Sequence, residues 1–307
     1  MALPSLGKIS VVGSGAVGCY YGGMLAHAGC DVHFLMRSDL AAVQKRGLTI
    51  KTRGDSIHVP VRPKATSKEI GPCDMVLIAL KATANAALDQ SIPPLLHEHT
   101  ALVTLQNGLG NEEYLAERWG KERVAGALCF VCLNRTAPAE VTHFDHGSIS
   151  IGEFGRAISP RVEALVQAFV STGIDAKAVD DLVCERWRKL VWNVPFNGLA
   201  VATNGANVAD ILGDDALRTE ARALMDDVRE GAGRLGYDIS AEFADFQIER
   251  SWSMGPYKPS SVIDWEAGRP VEVEAIWGEP LRQGRKAGAQ MPRLGLLYAL
   301  LKRLAKS

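Results

Sequence analysis

The run KISVVGSGAVG near the N-terminus constrains this chain more than any other stretch. A short β-rich segment passes directly into Gly13-Ser14-Gly15-Ala16-Val17-Gly18, and a helical pattern follows, which is the context a GxGxxG hexapeptide requires. Gly13 permits a tight turn, and Gly15 lets the backbone approach a pyrophosphate. Gly18 lets helix and sheet pack closely while the helix N-terminus faces the phosphates. The plain alternative is a strand-to-helix turn with no ligand.

The text after this motif keeps alternating. Strands are predicted at KISVVG, DVHFL, LTIKT with SIHVPV, MVLIAL and ALVTL, with helices near 16–29, 38–47 and 83–90 between them. That order predicts βαβ units and a largely parallel sheet. Residues 124–152 read as further strands, with FDHGS as the turn of an antiparallel hairpin at the sheet edge. A helix over 159–172 and a short strand over 174–178 complete an α/β Rossmann-type domain, residues 1–179. Strand signals then stop. Helical patterns over 181–203, 214–236, 242–253, 275–288 and 292–305 predict an all-α domain, residues 180–307, in which MGPYKPSS is the one clear loop.

The second strand ends where an NAD-binding chain places Asp or Glu on the ribose 2′-hydroxyl, roughly 20 residues beyond the glycines. Here VHFL runs into Met36-Arg37-Ser38. A guanidinium suits a 2′-phosphate, so the inferred cofactor is NADPH/NADP+. An ordinary surface arginine beside a helix cap is the alternative, and Asp39 keeps NADH open. Lys81 in LIALKATA and Asn107 in TLQNGLG follow two more strands, at the carboxyl ends where open α/β sheets hold ligands. They could instead be a solvated strand end and a turn.

Hydride transfer to a ketone also needs a proton donor. All seven histidines lie within the first 146 residues, so the helical half must use another acid. Lys189, Asn193 and Asn197 stand at intervals of four in the apolar run WRKLVWNVPFNGLAVATN and share one helix stripe. Buried polar groups need partners, so the stripe either lines a wet cleft or meets a ligand. Burial would lower the lysine pKa and make it a better acid, with the amides turned to a substrate. The alternative is a lysine reaching to solvent, with asparagines bonded to neighbouring helices. Downstream, Ser260 and Glu272 flank a loop and a short extended run, but by pattern alone Glu272 is no better a ligand than Glu266 or Glu274.

Composition narrows the partners. Charged residues are 22% of the 307 and the net charge is -1, which argues against a polyanion or membrane-surface partner. The N-terminus lacks a basic region followed by a long apolar one, and no apolar run suits a bilayer, so a cytoplasmic location is expected. Six scattered cysteines read as buried filler in a reducing compartment. Cys129 and Cys132 form a CxxC within a strand-like context with no second ligand pair, so no metal is expected. Apolar helix faces in the second half could pair two chains.

These residues converge on one family. GSGAVG, Arg37, LIALKATA, QNGLG, RKLVWNVPFN and KPSSVIDWEAGRPVEVEAIWG together resemble ketopantoate reductase, also called 2-dehydropantoate 2-reductase, over nearly the whole chain. The resemblance implies a Rossmann domain joined to a helical one with the active site between them, and NADPH reduction of ketopantoate to (R)-pantoate on the route to pantothenate. It further implies that Lys189 is the general acid and that Glu272 is the carboxylate that binds substrate near it. Asn193, Asn197, Ser260 and Asn207 are then substrate contacts, and Lys81 and Asn107 hold the nicotinamide side. Two departures bear on substrate identity: Gly198-Leu199-Ala200 lacks a hydroxyl usual after the second asparagine, and Ser260-Ser261-Val262 has serine where methionine is frequent.

Two other functions remain open from sequence: a reductase of a different 2-oxo acid or a β-hydroxy acid dehydrogenase, and a non-catalytic NADPH-responsive binding protein. The Arg37 reading makes its own prediction. Arg37→Ala should weaken NADPH much more than NADH, and equal losses in the two measured affinities would overturn it.

Overall fold

The β-rich runs become a sheet of ten strands in the computed structural model, which describes residues 6–305. The first unit comprises residues 6–106 and 111–182. Its elements are β1 (Lys8–Val12), α1 (Ala16–His27), β2 (Asp31–Leu35), α2 (Leu40–Arg46), β3 (Leu48–Thr52), β4 (Asp55–Val59), β5 (Arg62–Lys64), α3 (Ser67–Ile70) and β6 (Met75–Ile78). They continue with α4 (Leu88–Ser91), β7 (Ala101–Thr104), α5 (Asn111–Trp119), β8 (Val124–Ala137), β9 (Glu140–Glu153), α6 (Pro160–Ser171) and β10 (Ala176–Ala178).

Six strands run parallel in the order β5-β2-β1-β6-β7-β8, which in chain order of those strands is 3-2-1-4-5-6, the dinucleotide-binding arrangement. The inner strands are covered on both faces, which is why MVLI is apolar at every position and wholly buried. Each such side chain contributes about 1.5–3 kcal/mol by leaving water. The order reverses between β1 and β6, and that switch point is where a ligand crevice forms.

The rest of the sheet is mixed. LTIKT and SIHVPV form not a βαβ strand but an antiparallel hairpin, β3–β4, with β3 paired to β9. The third parallel strand is instead β5, whose three residues are too few to carry a periodic signal. The β8–β9 pair is antiparallel as expected, but it turns at Pro138-Ala139, where Ala139 has φ 59°. FDHGS lies inside β9, and the pair is interior to the sheet, because β3 and β10 both pair with β9. Its polar composition imitates a turn while register shifts in the ladder absorb the irregularity.

The sheet curls around α1, and two glycines allow it. A Cβ on Gly22 would lie 2.6 Å from Val11 Cγ2, and one on Gly23 would lie 2.8 Å from Ile50 Cδ1, so α1 packs against two stretches of sheet at once. A run of Ala82–Ala87 forms a 3₁₀ helix ahead of α4 where a single helix over 83–90 was expected.

The second unit holds Asn107–Gly110 and residues 183–305. It is built from α7 (Leu182–Ala202), α8 (Val208–Gly213), α9 (Asp215–Arg234), α10 (Ala241–Ser251), α11 (Ser260–Glu266), α12 (Glu279–Lys286) and α13 (Pro292–Leu304). Every residue of α7 from 190 to 201 is buried. Trp277 packs beside it and donates its indole N–H to the Val194 carbonyl at 2.9 Å. Gly198 makes room, since a Cβ there would lie 2.8 Å from that indole nitrogen. The stretch VEVEAIWG is not extended: Glu274–Gly278 form a π turn that leads into α12. Its alternating Val-Glu pattern imitates a strand, but Val271 and Val273 both enter the same helical core. No helix among the described residues is long and apolar enough to cross a membrane.

Gly13 sits at the sheet's switch point with φ 107°, and a Cβ there would lie 2.3 Å from the Leu80 backbone nitrogen. Gly13→Ala should therefore cost roughly 2–4 kcal/mol, combining a strained φ with overpacking against immobile backbone. Urea unfolding checks this, and an unchanged midpoint would contradict it.

Candidate active site

Three sequence-predicted features of the first unit come to the carboxyl ends of neighbouring strands. Gly13-Ser14-Gly15 links β1 to α1, Lys81 follows β6, and Arg37 follows β2. A Cβ on Gly18 would lie 2.1 Å from the Gly13 carbonyl oxygen, so the third glycine seats the helix against its own entry loop. Gly15 differs: beyond its own chain neighbours, nothing lies within 4 Å of where its Cβ would be. The chain thus keeps open space at the N-cap of α1, where no side chain caps the helix and the first backbone N–H groups have no intrahelical partner. Ser14, Ala16 and Val17 border that space and are half-buried. A dinucleotide pyrophosphate fits such a cradle on steric and electrostatic grounds.

Arg37 is exposed, and Asp39 beside it is 7% exposed. The Asp39 carboxylate accepts from the Arg135 guanidinium and from the Ala139 N–H at 3.0 Å, which fastens it to the β8–β9 turn. Lys81 is half-buried and precedes the 3₁₀ helix, its carbonyl accepting from Ala84 N–H at 2.8 Å.

In the second unit, half-buried Lys189 donates from Nζ to Asn107 Oδ1 at 2.7 Å. The two residues are 82 positions apart, so no local pattern in the sequence links them. Asn107 reaches this place because Gly108 adopts φ 84° against Ala275 and the Leu109 N–H donates to the Ala275 carbonyl at 2.9 Å. Only glycine adopts that φ without strain.

Asn193 and Asn197 lie on the same face of α7 and are 8% and 3% exposed. Asn193 makes no side-chain hydrogen bond among the described residues. Asn197 is engaged: its Oδ1 accepts from the Ser261 N–H at 3.0 Å and lies 3.5 Å from Ser260 Oγ. Ser260 is therefore the first residue of α11, held there by α7, rather than part of the loop that MGPYKPSS suggested.

The structure separates the three carboxylates that spacing left equivalent. Glu266 pairs with Lys258 at 2.5 Å on the surface. Glu274 is exposed and binds Arg282 and Tyr298, each at 2.7 Å. Partial burial pushes the Glu274 carboxyl up, but the bonds from Arg282 and Tyr298 bring it below its ordinary range. Glu272 is half-buried and stands at the entrance to the π turn, its carbonyl accepting from Ile276 N–H. Asn207 does not join this group. It is the N-cap of α8, its Oδ1 accepting from Asp210 N–H at 3.0 Å in a reciprocal capping box. The motif Asn-Val-Ala-Asp carried that signal in the sequence, as did the short helix it starts. Among the described residues no group of His, Cys, Asp or Glu is arranged to hold a metal.

A glycine loop at the switch point of a parallel sheet, with a lysine bonded to an asparagine on a helical unit, defines an oxidoreductase of the dinucleotide-binding class. Comparison with known proteins agrees. Residues 9–156 match the family model for ketopantoate reductase PanE/ApbA, and residues 181–305 match that for its C-terminal part. The chain is 37% identical over 301 residues to the 2-dehydropantoate 2-reductase of Nostoc sp., covering 96% of this chain and 94% of that protein. It is 33% identical to the one from Mesorhizobium japonicum, covering 97% and 98%. A crystal structure of 2-dehydropantoate 2-reductase from Geobacter metallireducens superposes with TM-score 0.94 at 43% identity, covering 96% and 99%. The chain belongs to the ketopantoate reductase family.

The Asn197 contact generates a prediction about stability. Asn197→Ala leaves a buried N–H at the start of α11 without its acceptor and should cost about 1–3 kcal/mol. A denaturation midpoint equal to wild type would show that α11 does not depend on this bond.

Proposed function

We propose that this protein is an NADPH-dependent 2-dehydropantoate 2-reductase that converts ketopantoate to (R)-pantoate, a step towards pantothenate. Family membership and the names of the relatives support the reaction class and substrate. The observation that carries the mechanism is the Lys189–Asn107 hydrogen bond. In this reading Arg37 receives the 2′-phosphate. Asp39, the nearby carboxylate that could have taken a ribose hydroxyl, is committed to Arg135 and Ala139. Gly13 to Gly18 hold the pyrophosphate, and Lys81 and Asn107 bear on the nicotinamide side. When bound, the reduced nicotinamide supplies the hydride for the 2-ketone.

The chain's own groups supply the rest. Lys189 carries the proton to the carbonyl oxygen as negative charge develops there, and Asn107 aims the ammonium by accepting one of its three N–H bonds. Asn193, nearly buried and without a protein partner among the described residues, is suited to substrate oxygens. Ser260 adds a hydroxyl whose position is set by Asn197, and Glu272, half-buried where Glu266 and Glu274 are exposed, is the carboxylate assigned to a substrate hydroxyl. Asn207 is omitted from the substrate contacts, because its oxygen already caps α8. Ala200, which stands where a hydroxyl is usual, is completely buried in the helical core, so its side chain favours no other substrate.

The first measurement is the initial rate of NADPH oxidation with ketopantoate beside 2-oxoisovalerate, which lacks the hydroxyl. Fast turnover with strong discrimination is expected from a hydroxyl-reading site. Lys189→Ala should lower kcat about 10²- to 10⁴-fold. Wild-type turnover in that variant would remove Lys189 as the acid, and NADPH binding without turnover of any keto acid would leave only a binding protein.

A further inference from the structure

Asn107 lies in a four-residue segment, Asn107–Gly110, that belongs to the second unit while the residues on either side of it belong to the first. Two of the four are glycines with positive φ, 84° at Gly108 and 86° at Gly110. Glycine resists being held in one conformation more than any other residue. Leu109 anchors the middle of the segment, its side chain buried in the helical core and its N–H donated to the Ala275 carbonyl, but the glycine on each side of it leaves the ends, Asn107 among them, to be fixed from outside.

The residues just outside the segment carry the restraint at its two ends. Gln106, 4% exposed, donates from Nε2 to Asn85 Oδ1 at 2.7 Å. Asn111, 1% exposed, accepts at Oδ1 from Asn85 Nδ2 at 3.1 Å. One side chain thus holds both ends of the segment through its acceptor and its donor. Asn85 is itself fixed: its carbonyl accepts from the Tyr114 hydroxyl at 3.0 Å. Gln106 is oriented from the other side by Thr104, whose hydroxyl donates to Gln106 Oε1 at 3.0 Å. A carboxamide accepts at its oxygen and donates from its nitrogen, so its two atoms serve two partners at once, whereas a carboxylate of the same size lacks the donor. The linked amides are largely out of water, where each bond is stronger and a missing partner costs more.

We propose that Asn85 is a positioning residue: by tying Gln106 to Asn111 it clamps both ends of Asn107–Gly110 and so fixes where the Asn107 carbonyl meets the Lys189 ammonium. The proposal rests on the assignment of Lys189 and Asn107 to the reaction. Asn85 touches neither substrate nor cofactor in this role and acts only through the segment it holds.

A double-mutant cycle on the full-length enzyme tests it, with kcat measured under saturating NADPH and ketopantoate. Asn85→Ala should lower kcat about tenfold. In an Asn107→Ala background the same change should add nothing, because the group being positioned is gone. A merely structural role would instead lower kcat by the same factor in both backgrounds. Independent, multiplying losses would overturn the proposal, and so would wild-type kcat in Asn85→Ala. Should Asn107→Ala itself keep wild-type kcat, the Lys189–Asn107 reading fails first and takes this one with it, whereas loss in Asn107→Ala without loss in Asn85→Ala rejects this proposal alone. Asn85→Ser, a milder truncation that also cuts the clamp, serves if Asn85→Ala does not fold.

Discussion

Helix α7 is the constraint on which the second unit depends. Twelve consecutive residues, 190–201, are out of water, so each polar group on or beside them must be matched by a partner or turned to a ligand. The Val194 carbonyl is met by Trp277, and Asn197 is met by the start of α11. At the less buried end Lys189 finds Asn107. These bonds do two jobs together: they satisfy the helix, and they set the elements that carry Ser260, Glu272 and Asn107 at defined places around it. Asn193 is the member of the stripe for which the described residues offer no such bond, and that difference is what supports its proposed place beside substrate.

The first unit rests on a different restriction, the closeness of backbone to backbone at the switch point. Gly13 lies against Ala79–Leu80, and Gly18 lies against Gly13, so the loop geometry is determined by the absence of side chains. Gly15 has no such neighbour, and its missing side chain leaves space that a ligand can occupy. The same motif therefore contains two glycines pressed against backbone and one that leaves space open. Curling of the sheet about α1 depends on Gly22 and Gly23 in the same way.

The clamp at Asn85 illustrates how a site can rely on residues that no motif marks. QNGLG is visible as a motif, but Asn85 lies 21 residues before Gln106 in an alanine-rich stretch, KATANAA, with nothing in its local pattern to set it apart. Its importance comes from making two bonds at once to residues distant in sequence. Asn107 and Lys189 are a similar case, since each was a candidate in the sequence but their partnership required the fold.

The sequence by itself determined the division of this chain: a βα-alternating half that opens on a GxGxxG loop, then helices bearing a lysine–asparagine stripe. Periodicity and glycine spacing are local, and local rules suffice to read them. Tertiary structure decided what local rules could not. Polar residues inside β9 imitated a turn, β5 was too short to signal itself, and Val-Glu alternation at 271–274 imitated a strand where the core imposed a π turn. It also separated Glu272 from Glu266 and Glu274, and gave Asn207 to a helix cap, because a side chain's role depends on which partners packing brings within about 3 Å.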